Sequence, residues 1–133
     1  MDYQTLMNRR GIENEIRQLE RDIARKETEA NAATSVLSHS PRAPGGGGDK
    51  VGRIAAELVY LRGELEKRIA ERDEVLQYIG TVENSTIRTA LRMHFVQGQS
   101  WMRTAQVVRY DESWVRRKVK RLLEKTTKKP DCM

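Results

Sequence analysis

From Ile12 the apolar residues fall at Ile12, Ile16, Leu19 and Ile23, in steps of four, three and four, with Glu, Arg, Gln and Asp between them. That spacing lays one stripe along one face of an α-helix. Tyr3, Leu6 and Met7 extend the pattern toward the start, across Gly11, which weakens a helix interior by roughly 1 kcal/mol. A second stripe runs Ile54, Leu58, Leu61 and Leu65, then Ile69, Leu76 and Ile79, with Arg72 at one seam position. Its step of four from 65 to 69, where three is due, reads as a stutter in a heptad repeat. Asp49 is placed to cap this helix and Gly80 to end it. Pro41, Pro44 and the four glycines at 45–48 make residues 33–49 a Pro/Gly-rich loop with little to pack. Two helices of similar length joined this way predict an antiparallel helical hairpin, a coiled coil, over residues 1–80. One seam leaves much of each helix uncovered, so a homo-oligomer is expected. A P-loop requires glycine followed directly by Lys and Ser/Thr after a strand, whereas here Asp49 intervenes, Val51 follows Lys50 and a helix lies upstream. The loop is not a phosphate cradle.

The pattern shortens beyond residue 84. Asn84 or Ser85 can cap a helix carrying Ile87, Leu91 and Phe95, ended by Gly98. Ser100 caps a short helix with Trp101, Ala105 and Val108 on one side. Asp111 caps a third, with Glu112 at its positive end and Val115, Val119 and Leu122 or Leu123 as its stripe. This is the spacing of a helix-turn-helix over 84–126. On a frame from Trp101 to Lys120, small Ala105 sits where the two helices cross, and Val108 and Val115 form the buried hinge. The turn position that favours positive φ holds Arg109, at a cost on the order of 1 kcal/mol if that dihedral is kept. Lys118 stands where an apolar residue is due, and Val119 takes its place.

Charge separates the halves. Residues 1–84 hold 13 Lys/Arg and 15 Asp/Glu, a net of −2, whereas residues 85–133 hold 12 and 4, a net of +8. Phe95, Trp101, Tyr110 and Trp114 share the basic half. A basic, aromatic-containing half points to a polyanion, and nucleic acid is the commonest. The third helix presents Ser113, Arg116, Arg117 and Lys120 outward as candidate contacts to base edges in the major groove. Arg88, Arg92, Ser100, Arg103 and Arg121 are candidates for the DNA phosphates. Lys125, with Lys128 and Lys129 of the tail, 127–133, adds diffuse attraction. Trp101 and Trp114 read as packing more readily than as stacking platforms.

Two segments carry a resemblance: SPRAPGGGGDKV at 40–51 and IRTALRMHFVQGQSWMRTAQVVRYDESWVRRKVKRLL at 87–123. With them the chain resembles a family of small Gram-positive phage and prophage proteins of unknown function. The second segment is also similar to the promoter-reading fourth region of sigma factors and to ArpU/RinA-type phage late transcription regulators. The recurring features are Arg88 or Arg92, Gly98 with Ser100 and Trp101, and Tyr110; the departures are Thr104 for Ile and Arg109 for Gly. The resemblance implies a phage-encoded, sequence-specific DNA-binding transcription regulator in the bacterial host cytoplasm, with host RNA polymerase as a second partner.

The other classes fare worse. An enzyme is not expected, because His39, His94 and Cys132 are the only such groups and no metal cluster, paired-carboxylate site or nucleophile motif accompanies them. No cofactor is expected. With 38% hydrophobic residues, no run approaches the ~20 apolar residues of a membrane span, and the start lacks a signal-peptide core. The lone Cys132 suits a reducing compartment. The alternatives are a packaging factor like a small terminase subunit, which usually puts its DNA domain first, and a coiled-coil protein that binds a host protein.

Overall fold

The computed structural model describes residues 1–39 and 46–128 of the chain. It is all-α, with no strand among the described residues. Helix α1 spans Tyr3–Asn8, α2 Ile12–His39 and α3 Gly46–Gly80. Then come α4 at Ser85–Leu91, continued by a π-helical turn over Arg92–Val96, α5 at Trp101–Val108 and α6 at Glu112–Lys128. No described helix is long and apolar enough to cross a membrane. The chain forms two compact units: Ile16–Arg68, and Met1–Glu15 together with the chain from Ile69 onward.

Several boundaries differ from the sequence expectation. Gly11 does more than weaken a helix: at φ +79° it breaks the chain between α1 and α2. Asp2 starts α1 by accepting from the Thr5 N–H at 2.8 Å; hydrogen bonding from the Thr5 side chain first, and from its N–H second, holds the Asp2 carboxyl below the ordinary value. Helix α2 runs on through Ala33–His39 and α3 already begins at Gly46, so helix enters both ends of the expected loop. From Ala30 to His39 the sequence holds no proline or glycine to interrupt a helix. The remainder of the loop, residues 40–45, lies outside the described residues. Asp49 is therefore inside α3 and does not cap it. Gly80 is the last helical residue of α3, without a positive φ; Thr81 closes the end instead, its hydroxyl donating to the Tyr78 carbonyl at 2.6 Å.

The stutter expected in α3 is absent. Val75 is 1% exposed and Leu76 only half-buried, so the 4-3 repeat continues without a break through 54, 58, 61, 65, 68, 72, 75 and 79. Arg72 holds one of those positions, as expected, and Arg68 holds another, which hid the repeat. Arginine can lay its aliphatic stem on a seam and keep its head at a carboxylate. Arg68 does so with Glu64 at 3.5 Å, and Arg72 with Glu13 at 3.8 Å and Asp73 at 3.4 Å.

In the Ile16–Arg68 unit, Ile23, Ile54 and Leu58 form the core, with Ala30, Ala33, Leu61 and Leu65 packed against it. Burying each large aliphatic side chain contributes about 1.5–3 kcal/mol. The rim is ionic. Lys26 meets Glu57 at 2.6 Å and Glu29 at 3.3 Å, which raises its pKa, and Arg62 meets Glu27 at 3.1 Å. In the other unit α4, α5 and α6 pack on one another, and α1 reaches α6. Its core includes Leu6, Ile12, Val75, Ile79, Leu91, Phe95, Val115, Val119 and Leu123, each no more than 1% exposed.

The π turn has a packing consequence. The Gln97 N–H donates to the Arg92 carbonyl, five residues back, at 3.0 Å. The widened turn lets three consecutive residues, His94, Phe95 and Val96, all be buried. A regular α-helix would carry one of them out to solvent. Gly98, at φ +74°, then ends the helix as expected.

Candidate nucleic-acid interface

Ser100 caps α5: its hydroxyl accepts from the Arg103 N–H at 3.1 Å, while its carbonyl receives the Thr104 N–H and hydroxyl at 2.9 and 2.8 Å. Thr104, where the resembled pattern has Ile, is thereby buried with its hydroxyl satisfied. Helix α5 ends at Arg109 with φ 65° and ψ 40°, and the Arg109 and Tyr110 N–H groups both donate to the Ala105 carbonyl. The left-handed dihedral is thus kept without a glycine. The Asp111 carbonyl then accepts the Val115 N–H at 3.0 Å, opening α6.

Helix α6 is divided sharply. Val115, Val119 and Leu123 are fully buried, whereas Ser113, Arg116, Arg117, Lys118, Lys120, Arg121 and Lys125 are exposed. The four expected base-reading residues, Ser113, Arg116, Arg117 and Lys120, therefore share the outer side of α6 with Arg121. Three consecutive cations each lean on the residue four before. Arg116 is 3.7 Å from the Glu112 carboxylate, Arg117 Nε donates to the Ser113 carbonyl at 3.2 Å, and Lys118 Nζ lies 5.7 Å above the Trp114 ring. Helical side chains tilt toward the N-terminus, so these partners are within natural reach.

The expected phosphate contacts are spread more widely. Arg92 and Arg103 are exposed, on the π turn and on α5 respectively. Arg88 is half-buried and serves the fold, its Nη1 donating to the Val82 and Glu83 carbonyls at 2.7 and 2.8 Å. Those carbonyls lie in the connector before α4, where no helix or sheet supplies donors.

Three features escaped the sequence reading. The first is the aromatic cluster: His94 stacks on Trp101 at 3.7 Å between ring centres, and Phe95 meets both edge-on. His94 is 4% exposed and its Nδ1 lies 2.8 Å from the Gln99 carbonyl. Burial, assisted by the nearby positive charge of Arg10 and more weakly of Arg116, lowers its pKa to about 4, and the Gln99 bond opposes that shift. His94 is a neutral core residue that donates through Nδ1. The second is the docking of the chain's start onto this unit. The Gly11 N–H donates to the Phe95 carbonyl at 2.7 Å, and Arg10 Nη2 donates to the Gly98 and Gln99 carbonyls at 3.2 Å. The third is a Tyr110–Trp114 stack, 4.3 Å and 16° apart, beneath Lys118. Its only sequence signal is the i, i+4, i+8 spacing of Tyr110, Trp114 and Lys118.

Among the described residues, no group of three or more His, Cys, Asp or Glu could hold a metal ion. A groove of about 610 Å³ lies between Tyr78, Val82, Ile87, Leu122 and Lys125, the last of these one of the exposed cations of α6. No protein-family model matches the chain, and neither a curated protein nor a solved structure compared with it does so.

Proposed function

We propose that the chain is a sequence-specific DNA-binding transcription regulator of phage or prophage type, reading the major groove with α6. In this reading α5, the Arg109 turn and α6 form a helix-turn-helix akin to the fourth region of sigma factors. Helices α2 and α3 form an antiparallel coiled-coil hairpin that supports self-association or contact with RNA polymerase. The observation that carries the reading is the two-sided character of α6. Its apolar stripe is fully buried, while Arg116, Arg117, Lys118, Lys120, Arg121 and Lys125 stand exposed on one rigidly packed helix. Six exposed cations on one helix, against half-buried Glu112 and exposed Glu124, suit a polyanion better than an apolar partner.

The test is selection of duplexes from a random library with the full chain, followed by binding measurements across a salt series. Enrichment of one sequence, with affinity falling steeply as salt rises, supports the reading. Arg116→Ala with Arg117→Ala is expected to abolish the preference for the selected duplex. Absence of binding at low salt, or binding indifferent to that double substitution, refutes it.

A further inference from the structure

We infer that Lys118 is a phosphate-contacting residue, positioned by the Tyr110–Trp114 stack, and that it grips the DNA strand opposite the one held by Arg116. This rests on the reading of α6 as the helix that enters the groove. Successive residues of an α-helix are turned by about 100°, so Arg116 and Lys118 diverge by about 100° to either side of Arg117. Val115 and Val119 are fully buried, which turns Arg117 toward the middle of the exposed side. A helix lying in the major groove, ~12 Å wide, faces base edges with its middle and a phosphate backbone with each flank. Arg117 is therefore the base reader of the three, and Arg116, expected from the sequence at a base edge, stands with Lys118 on a flank.

Each flank cation is already oriented. Glu112 holds Arg116 at 3.7 Å, and the Trp114 ring holds Lys118 at 5.7 Å. Trp114 is itself fixed, because the Tyr110 ring covers its other contact at 4.3 Å, nearly parallel. Tyr110 directly follows the left-handed Arg109, and its N–H is held by the Ala105 carbonyl. A lysine free in water surrenders about 2 kcal/mol of side-chain entropy on being ordered, and a cation–π contact made beforehand reduces what binding must still supply. The position that breaks the apolar pattern of the helix pair is thus the one that carries the second flank cation. Lys118 is a point charge without a fork geometry, which suits a phosphate oxygen more than a base edge.

The experiment uses the full chain with the selected duplex and an unrelated duplex, each measured from low to moderate salt. Lys118→Gln is expected to weaken both duplexes by the same factor and to lower the slope of log K against log salt by about 0.9, one phosphate's worth. Lys118→Arg is expected to restore that slope. Tyr110→Leu, at a half-exposed position, is expected to weaken binding without changing the slope, because the charge remains and only its orientation is lost. Arg117→Gln is expected to reduce the ratio between the two duplexes instead. An unchanged slope in Lys118→Gln, beside a wild type with steep salt dependence, overturns the assignment while leaving DNA binding intact. A selective loss on the selected duplex alone overturns it too, by making Lys118 a base reader. If the wild type shows no salt-dependent binding, the underlying reading falls and this inference with it.

Discussion

Gly11 and Gly98 meet back to back, both with positive φ, so that a Cβ at position 98 would lie 3.1 Å from the Gly11 Cα and 3.4 Å from Asn14 Nδ2. Backbone is the obstacle here, and backbone cannot swing aside. The closeness lets the Gly11 N–H reach the Phe95 carbonyl and Arg10 reach the Gly98 and Gln99 carbonyls. Gly98→Ala therefore incurs both the left-handed penalty and a steric one, together roughly 2–4 kcal/mol. Gly11→Ala meets only an ordinary 3.9 Å contact and incurs the dihedral penalty alone. Urea unfolding of the two variants should rank Gly98→Ala as clearly the less stable; equal midpoints would show that the two glycines do not need this approach.

His94 gives the fold an acid limit. In the unfolded chain its imidazole takes up a proton as pH falls through 6.5, whereas in the folded chain it stays neutral until about 4. Between those values the unfolded state binds more protons, so stability falls as pH falls. Melting temperature is expected to hold above pH 7 and to decline from about pH 6.5 downward, before carboxylates begin to titrate. His94→Gln keeps a side-chain donor and removes the titration, so its melting temperature should be lower at neutral pH yet flatter between pH 6.5 and 5. An equally steep decline in that variant would assign the acid sensitivity elsewhere.

Much of this architecture was written in residue spacing. The stripes of α2 and α3, the Ser100 cap and the Gly98 stop follow from local rules, and local rules act on neighbours along the chain. Arg68 concealed the continuous heptad repeat because pattern reading assigns arginine to solvent and takes the neighbouring Ile69 for the seam, whereas both are only half-buried. The π turn at Arg92–Val96 has no sequence marker; it accompanies the burial of three consecutive residues, His94, Phe95 and Val96. Docking of Arg10 and Gly11 on residues 95–99 joins positions more than eighty apart, which no window of periodicity spans. On α6 the exposed cations were legible as a face. The grouping of Tyr110, Trp114 and Lys118 was not, because each residue has an ordinary explanation alone.

Arg109 offers a stabilising substitution. Its φ of 65° costs a residue with a Cβ roughly 1–2 kcal/mol, and glycine escapes that cost while giving back part of it as extra freedom in the unfolded chain. Arg109→Gly is expected to gain about 0.5–1 kcal/mol in denaturant unfolding. Arg109→Val, β-branched at the same dihedral, is expected to lose at least about 1 kcal/mol. If the two variants unfold at the same denaturant concentration, the turn does not retain this conformation in solution.

Glu112 opens α6 with a negative charge 3.7 Å from Arg116, on the helix that the proposed function brings against DNA. Both side chains are well exposed, at 42% and 59%, so the pair itself contributes only about 0–1 kcal/mol to stability. The carboxylate also favours the helix start through the dipole, by about 0.3–1 kcal/mol. Toward DNA its effect is opposite, because it partly neutralises a flank cation and repels the phosphates. Glu112→Gln should therefore lower the melting temperature slightly while raising duplex affinity several-fold at low salt. The gain should shrink as salt is added, since a screened charge neither repels nor neutralises at a distance. Titration of the variant and the wild type side by side decides the matter. Should affinity stay level at low salt, the N-terminal half of α6 lies beyond the field of the phosphates, and the three-cation grip cannot be how this helix holds DNA.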